Sequence, residues 1–400
     1  AGVKDNYDVV YGWPGDEDKA DAPKQCIFTR EFGEYVDDWY GQNNLNRASR
    51  SWGERPMLVQ ALSLAKTTEE MYQSHGLFIG GCQWHPFDHQ RGYHPDPYWG
   101  GDYDAFRQSK TVQTFFAAQR AVSDGAKPMV HIAHEMTQFS DSDVVVFSNC
   151  DSVRLSIYDG AKSWMLPVRH QPKNCTLEKD DYPQFSAPVI FSKVWNFWEA
   201  RSYSYNKKAW QKVKMTAEGI INGKVVCREE RMPSRRSTKL RLYADEEGKK
   251  LVADGSDFIV VVCEGTDDSG NVRRLAKENI RFTVTGEGRL IGDGAGINAN
   301  PRSVEWGSAP ALIQATRHAG KIHIHAEVQF PGIHAPAPAD LDIESIPAAG
   351  AFCNAIGQAA TTTKQVSAKQ TSSKNDISEK EKNLILKEVE DQQADFGISK

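Results

Sequence analysis

No apolar run in these 400 residues approaches the roughly 18 needed to cross a bilayer as a helix, so no helical membrane span is expected. Positive charge is also in short supply: 48 Lys and Arg stand against 53 Asp and Glu, for a formal net charge of −5. A phosphate-binding face needs clustered Lys and Arg. The locally basic stretch from Arg231 to Arg241 reads as a solvated strand pair, so nucleic acid is not an expected partner. Paired cysteines are missing as well. Cys26, Cys82, Cys150, Cys175, Cys227, Cys263 and Cys353 are odd in number and scattered, with no Cys-x-x-Cys pair, and define neither a disulfide framework nor a zinc site.

What remains is an ordinary globular composition, 40% hydrophobic and 25% charged, in a length that allows about two to four domains. Its most informative stretch is Cys26-Ile27-Phe28-Thr29-Arg30-Glu31-Phe32-Gly33, a short apolar strand that ends on an acidic residue. A second strand, Leu77 to Trp84, ends in a tryptophan and leads into the loop His85 to Gly101, rich in histidine, proline and aromatic residues. Between them Met57, Leu58, Ala61, Leu62, Ala65 and Met71 fall at helical spacing, with Pro56 suited to the first turn and Gly76 as a stop. A strand, helix, strand unit with reactive groups at the carboxyl ends of both strands is where (β/α)8 barrel enzymes keep their chemistry. A further helix, Ser109 to Val122, closes this first unit, while residues 1 to 24 read as a loop.

Beyond residue 126 the periodicity changes from helix to strand. Met129 to Ala133, Val144 to Asn149 and Val153 to Tyr158 are short apolar or alternating runs separated by turn residues, the pattern of a β-sandwich. Residues 161 to 215 then carry Trp164, Trp195, Trp198, Tyr203, Tyr205 and Trp210, which suit either sandwich core or a surface that stacks sugars. A third unit opens at Ala253 to Val262, turns at Asp268-Ser269-Gly270-Asn271 as a hairpin, and closes on the strand Lys321 to Ala326. From Ala335 the chain is first Ala/Pro-rich, then Thr/Ser/Lys-rich, and residues 358 to 380 lack the apolar content for a folded core.

The Glu31-Phe32-Gly33 signature, Trp39, Arg47, Gly53-Glu54 and the Trp84 loop with Phe87 and Asp88 follow one another as in glycoside hydrolase family 2, and most closely resemble its β-galactosidases. The resemblance implies a multidomain fold: residues 1–122 as the last part of a (β/α)8 TIM barrel, 126–241 as an immunoglobulin-like β-sandwich, 242–334 as an invasin-like or immunoglobulin-like β-sandwich, and 335–400 as a linker and largely disordered tail. It also implies a retaining exo-β-galactosidase acting on terminal β-galactosides, with Glu31 as nucleophile and Trp84 in the sugar-binding floor. Asp88, His89, Arg91 and His94 would hydrogen-bond sugar hydroxyls or an anionic substituent, or else brace the loop by ion pairs. The alternatives are a non-catalytic carbohydrate-binding or structural fragment, or another family 2 specificity such as glucuronide or mannoside.

His85, Asp88, His89 and His94 can also be read as metal ligands, but the extended backbone at Pro86, Pro95 and Pro97 gives no familiar ligand spacing, so neither metal nor cofactor is expected. The expected partner is a carbohydrate of plant or algal polysaccharide type, with a homo-oligomer left open. The family's acid/base glutamate lies in an Asn-Glu pair upstream of the nucleophile, and no such pair occurs among residues 1 to 30. The expectation is therefore a chain inactive alone, with 1 to 122 poorly ordered and 126 to 334 folding independently.

Overall fold

The computed structural model describes residues 7–32, 53–73, 77–83, 86, 110–175, 185–245, 248–291 and 300–349. At the amino-terminal end three strands, β1 (Val9–Tyr11), β2 (Cys26–Phe32) and β3 (Phe78–Gln83), form a sheet in the order β1-β2-β3. Both pairings are parallel. Helix α1 (Glu54–Gln73) connects β2 to β3, and α2 (Thr111–Ala118) follows. The sequence reading of residues 1 to 24 as loop is corrected here. Val9–Tyr11 is too short a run to announce itself, and it is held by pairing Val10 with Ile27, both buried.

α1 is a helix because its apolar residues recur at the helical period. Met57, Leu58, Ala61, Leu64 and Ala65 form one buried stripe, while Pro56 sits in the first turn, where its missing N–H breaks no helical bond. The stripe packs on α2 through Val112 and Phe115, and both helices pack on Ala133, Val145 and Phe147 of the next domain.

That domain contains β4 (Val130–Ile132), β5 (Val144–Ser148), β6 (Ser152–Ile157), β7 (Lys162–Pro167), β8 (Val189–Phe191), β9 (Met215–Ile221) and β10 (Lys224–Arg231). They build a three-stranded sheet, β4-β5-β8, and a four-stranded sheet, β10-β9-β6-β7, all antiparallel. Strand β5 is buried along its whole length. Val144 and Val146 enter the core between the two sheets, whereas Val145 and Phe147 face α1 and α2, with the Phe115 and Phe147 rings edge-on at 5.7 Å. Cover on both faces explains the continuous apolar run in place of alternation. It also bears on independent folding, since removal of residues 1 to 122 would expose Val145 and Phe147 to water.

The second sandwich comprises β11 (Lys239–Ala244), β12 (Val252–Ala253), β13 (Phe258–Thr266), β14 (Asn279–Gly286), β15 (Gly288–Leu290), β16 (Arg302–Ser303), β17 (Ser308–Ala315), β18 (Lys321–Val328), β19 (Ala339–Glu344) and β20 (Ile346–Pro347). Its sheets run β11-β13-β17-β15 and β16-β14-β18-β19, with β12 and β20 paired in parallel. Two boundaries and one turn differ from the sequence reading. Lys239–Ala244 pairs with β13, so the second sandwich starts before residue 242. Ala339–Glu344 pairs with β18, so the expected linker from 335 contains a strand whose Leu341 and Ile343 pack on the core. Residues 268 to 271 do turn, with the Gly270 N–H donating to the Asp267 carbonyl at 2.9 Å, but the flanking strands β13 and β14 enter different sheets rather than a hairpin. The expected disordered stretch 358 to 380 lies outside the described residues.

Candidate active site

Glu31 is the penultimate residue of β2, the central strand of the parallel sheet. The strand is pinned below it. Ile27 and Thr29 are fully buried, and the Thr29 hydroxyl donates to the Gly12 carbonyl at 2.7 Å. On the other side Gly81 lies against Thr29, where a Cβ would come within 3.0 Å of the Thr29 carbonyl oxygen, so the close approach of β3 requires glycine. Thr29 pairs with Gly81 and Phe32 with Gln83, a register shift that inserts one extra residue into β2 beside Glu31. Bulges of this kind re-aim side chains at strand ends. Phe32 packs on the α1/α2 cluster, and Glu31 beside it is half-buried.

Trp84 follows directly on the last residue of β3. Trp84, Asp88, His89, Arg91 and His94 lie outside the described residues, so of the sequence-derived site only Glu31 has a described position. Among the described residues no group of three or more His, Cys, Asp or Glu side chains is placed to hold a metal ion.

Behind this sheet lies a charged junction that no local pattern in the sequence announces. Gly53, at φ +110°, packs against the Trp306 ring of the second sandwich, where a Cβ would sit 3.1 Å from a ring carbon. The next residue, Glu54, opens α1 and reaches into the first sandwich. Its Oε2 accepts from the Glu135 N–H at 2.6 Å, and the Ser140 hydroxyl donates to the same carboxyl. Burial, reinforced by the neighbouring Glu135 charge, pushes the Glu54 carboxyl up to about 7.

Glu135 is held the other way. Burial alone would raise its carboxyl, but Arg274 and Arg231 outweigh that and bring it down to about 2. Arg231 Nη1 and Arg274 Nε each lie 3.1 Å from a Glu135 oxygen, and Arg231 Nε lies 3.2 Å from Glu229. The amino-terminal unit and both sandwiches therefore meet in one network of hydrogen bonds and ion pairs, assembled from residues up to 220 positions apart, Glu54 to Arg274.

The Glu54 shift has a testable sign. Its proton is retained by the folded chain between about pH 4.5 and about pH 7 and lost by the unfolded chain, so its contribution to stability falls as pH rises through that window. Glu54→Gln removes the cost while keeping an oxygen acceptor. The expected result is a gain of about 3 kcal/mol at pH 8 and little change at pH 4, read from urea midpoints at both values. Equal effects at the two pH values would show that folding does not raise the Glu54 carboxyl.

Residues 240–330 match glycoside hydrolase family 2 C-terminal domain 5. A β-galactosidase from Thermoanaerobacter pseudethanolicus is 28% identical over 231 residues, 57% of this chain and 28% of that protein. Two similar solved structures are a β-glycosidase from Bacteroides vulgatus, with TM-score 0.55 and 17% identity over 86% of this chain and 46% of that one, and a β-glucuronidase from glycoside hydrolase family 2, with TM-score 0.53 and 19% identity over 88% of this chain and 36% of that one. This chain thus spans less than half the length of each of these relatives. The domain match over residues 240–330, the β-galactosidase similarity and the shared fold of these structures support a glycoside hydrolase family 2 carboxyl-terminal portion.

Proposed function

We propose that the chain is the carboxyl-terminal part of a retaining exo-β-galactosidase in which Glu31 is the catalytic nucleophile. The observation that carries this reading is a Glu-Phe-Gly signature at the carboxyl end of the central strand of a parallel β–α–β unit. In this reading β1 to β3 are barrel strands, α1 and α2 are barrel helices, and the two sandwiches are the immunoglobulin-like and invasin-like domains behind the barrel. Similarity to a β-galactosidase supports the sugar class.

The chemistry needs two carboxyl groups about 5 to 5.5 Å apart. Glu31, ionised, attacks the anomeric carbon of a terminal β-galactosyl unit as a second, protonated carboxyl group passes its proton to the departing oxygen. A covalent galactosyl-enzyme results. Water then attacks the same carbon, giving up a proton to the second carboxyl, and galactose leaves with its configuration retained. The proton donor is assigned to no residue of this chain. Trp84 contributes to the sugar floor, and Asp88, His89, Arg91 and His94 hydrogen-bond hydroxyls or an anionic substituent.

An activated 2-fluorogalactoside, which forms the covalent intermediate faster than it is hydrolysed, tests the assignment in the complete enzyme. The expected result is a galactosyl mass on the peptide containing Glu31. A label on any other peptide removes Glu31 from the role, and faster turnover of a chromogenic glucuronide or mannoside than of the galactoside would reassign the sugar. Trp84→Ala is expected to lower kcat/KM by an amount equivalent to about 1 to 3 kcal/mol, the contribution of one stacked aromatic face. A large loss of thermal stability with normal sugar affinity would make Trp84 a core residue instead.

A further inference from the structure

The aromatic-rich segment between β8 and β9 does more than fill the first sandwich. Trp195 and the stacked pair Tyr158 and Tyr203, 4.4 Å between ring centroids, join its core. Trp195 also lines a cleft of about 400 Å³, together with Phe197, Arg201 and Trp210 from the same segment and Arg273 and Arg274 from the second sandwich. That volume is in the range of small-molecule sites.

Two features of the lining point to a ligand. Among the described residues the buried indole N–H groups of Trp195 and Trp210 have no hydrogen-bond partner, and Trp195 is only 4% exposed. An indole N–H can only donate, and a buried donor left unmatched is costly, so its natural complement is an acceptor brought in from outside. The arginines of the lining are also donors. Of the three arginines and one carboxylate in the lining, Arg274 and Glu135 are paired with each other at 3.1 Å. Arg201 faces rings, its guanidinium lying 5.7 Å from the ring centroids of both Trp198 and Tyr205. Those two rings are 69% and 76% exposed, so the aromatic surface continues outward from the cleft through Arg201.

We propose that this cleft between the sandwiches is a carbohydrate-binding site for a pyranoside carrying an anionic substituent, a carboxylate or a sulfate. Planar aromatic walls suit the C–H face of a pyranose ring, and arginine with indole N–H supplies donors to acceptor oxygens. The exposed Trp198 and Tyr205 rings extend the surface for a neighbouring sugar unit. The site uses none of the residues assigned around Glu31 and does not rest on the glycosidase reading.

Tryptophan fluorescence of the full chain, titrated with galactose 6-sulfate, methyl β-glucuronide, methyl β-galactoside and inorganic sulfate, tests it. Saturable binding is expected for one or both anionic sugars, at least tenfold tighter than for the neutral galactoside, and the stronger of the two identifies the anionic group. Trp210→Phe keeps the ring and removes the N–H, and is expected to weaken binding about three- to tenfold, the size of one hydrogen bond. Arg201→Gln, at an exposed position, should weaken it at least as much. An unchanged circular dichroism spectrum establishes that each variant is folded. The proposal is overturned if neutral and anionic sugars bind alike, if sulfate alone binds as tightly as the sulfated sugar, if no ligand saturates, or if both folded variants bind like the parent.

Discussion

Glu31→Gln in the complete enzyme is expected to lower kcat by roughly 10⁴-fold or more, the scale on which removal of a catalytic nucleophile acts, with KM for a β-galactoside within a few-fold of the parent. The amide has the shape of the carboxylate, so the sugar is still bound and oriented. Its oxygen carries no formal charge and cannot form the ester to the anomeric carbon, which removes the covalent route. Stability should change little, because Glu31 is half-buried at the end of a strand whose anchoring residues are Ile27 and Thr29. Steady-state kinetics on a chromogenic galactoside decides the matter, and a kcat within tenfold of the parent would sink the assignment.

Arg274→Met carries the largest expected loss of stability. The Glu135 side chain is only 15% exposed and is kept ionised by Arg274 and Arg231. Deleting one partner of a buried pair leaves an uncompensated charge and typically costs about 3 to 5 kcal/mol. Urea unfolding at pH 7 should register a loss of that size. The pH dependence follows from the direction of the Glu135 shift. A carboxyl held near 2 in the folded chain contributes stability that is complete above about pH 4.5, its unfolded value, and is lost as pH falls through about 2. The cost of Arg274→Met should therefore shrink at pH 3, where Glu135 without its arginine takes up a proton. Adding Glu135→Gln to Arg274→Met should recover part of the loss at pH 7, since the orphaned charge goes with it. A loss under 1 kcal/mol for Arg274→Met, unrelieved by the second change, would mean that solvent already screens Glu135.

Several elements were legible in the residues because their determinants are local. Met57, Leu58, Ala61 and Ala65 recur at the helical period within one stretch of chain, so α1 follows from spacing alone, although the buried Leu64 was not among the residues read from it. The apolar run of β2 is equally local, whereas Glu31 near its end was singled out by the family order of Glu31-Phe32-Gly33, Trp39, Arg47, Gly53-Glu54 and the Trp84 loop. Val9–Tyr11 escaped notice because three residues carry no periodicity, and its identity as a strand comes from pairing with Cys26 to Phe28. Ala339–Glu344 does alternate, with Leu341 and Ile343 against Asp340 and Asp342, but follows directly on an Ala/Pro-rich stretch that reads as linker.

What the sequence determined by itself was the succession of units: a strand–helix–strand segment with Glu31 near the end of its first strand, then two blocks of short strands, because hydrophobic periodicity is written along the chain. Tertiary structure alone decided that Val145 and Phe147 cover two helices, and that Glu54, Glu135, Arg231 and Arg274 share one network with oppositely shifted carboxyls. Burial and charge proximity set those properties, and both depend on which distant segments the fold brings within a few ångströms of one another, a quantity that no local spacing of residues encodes.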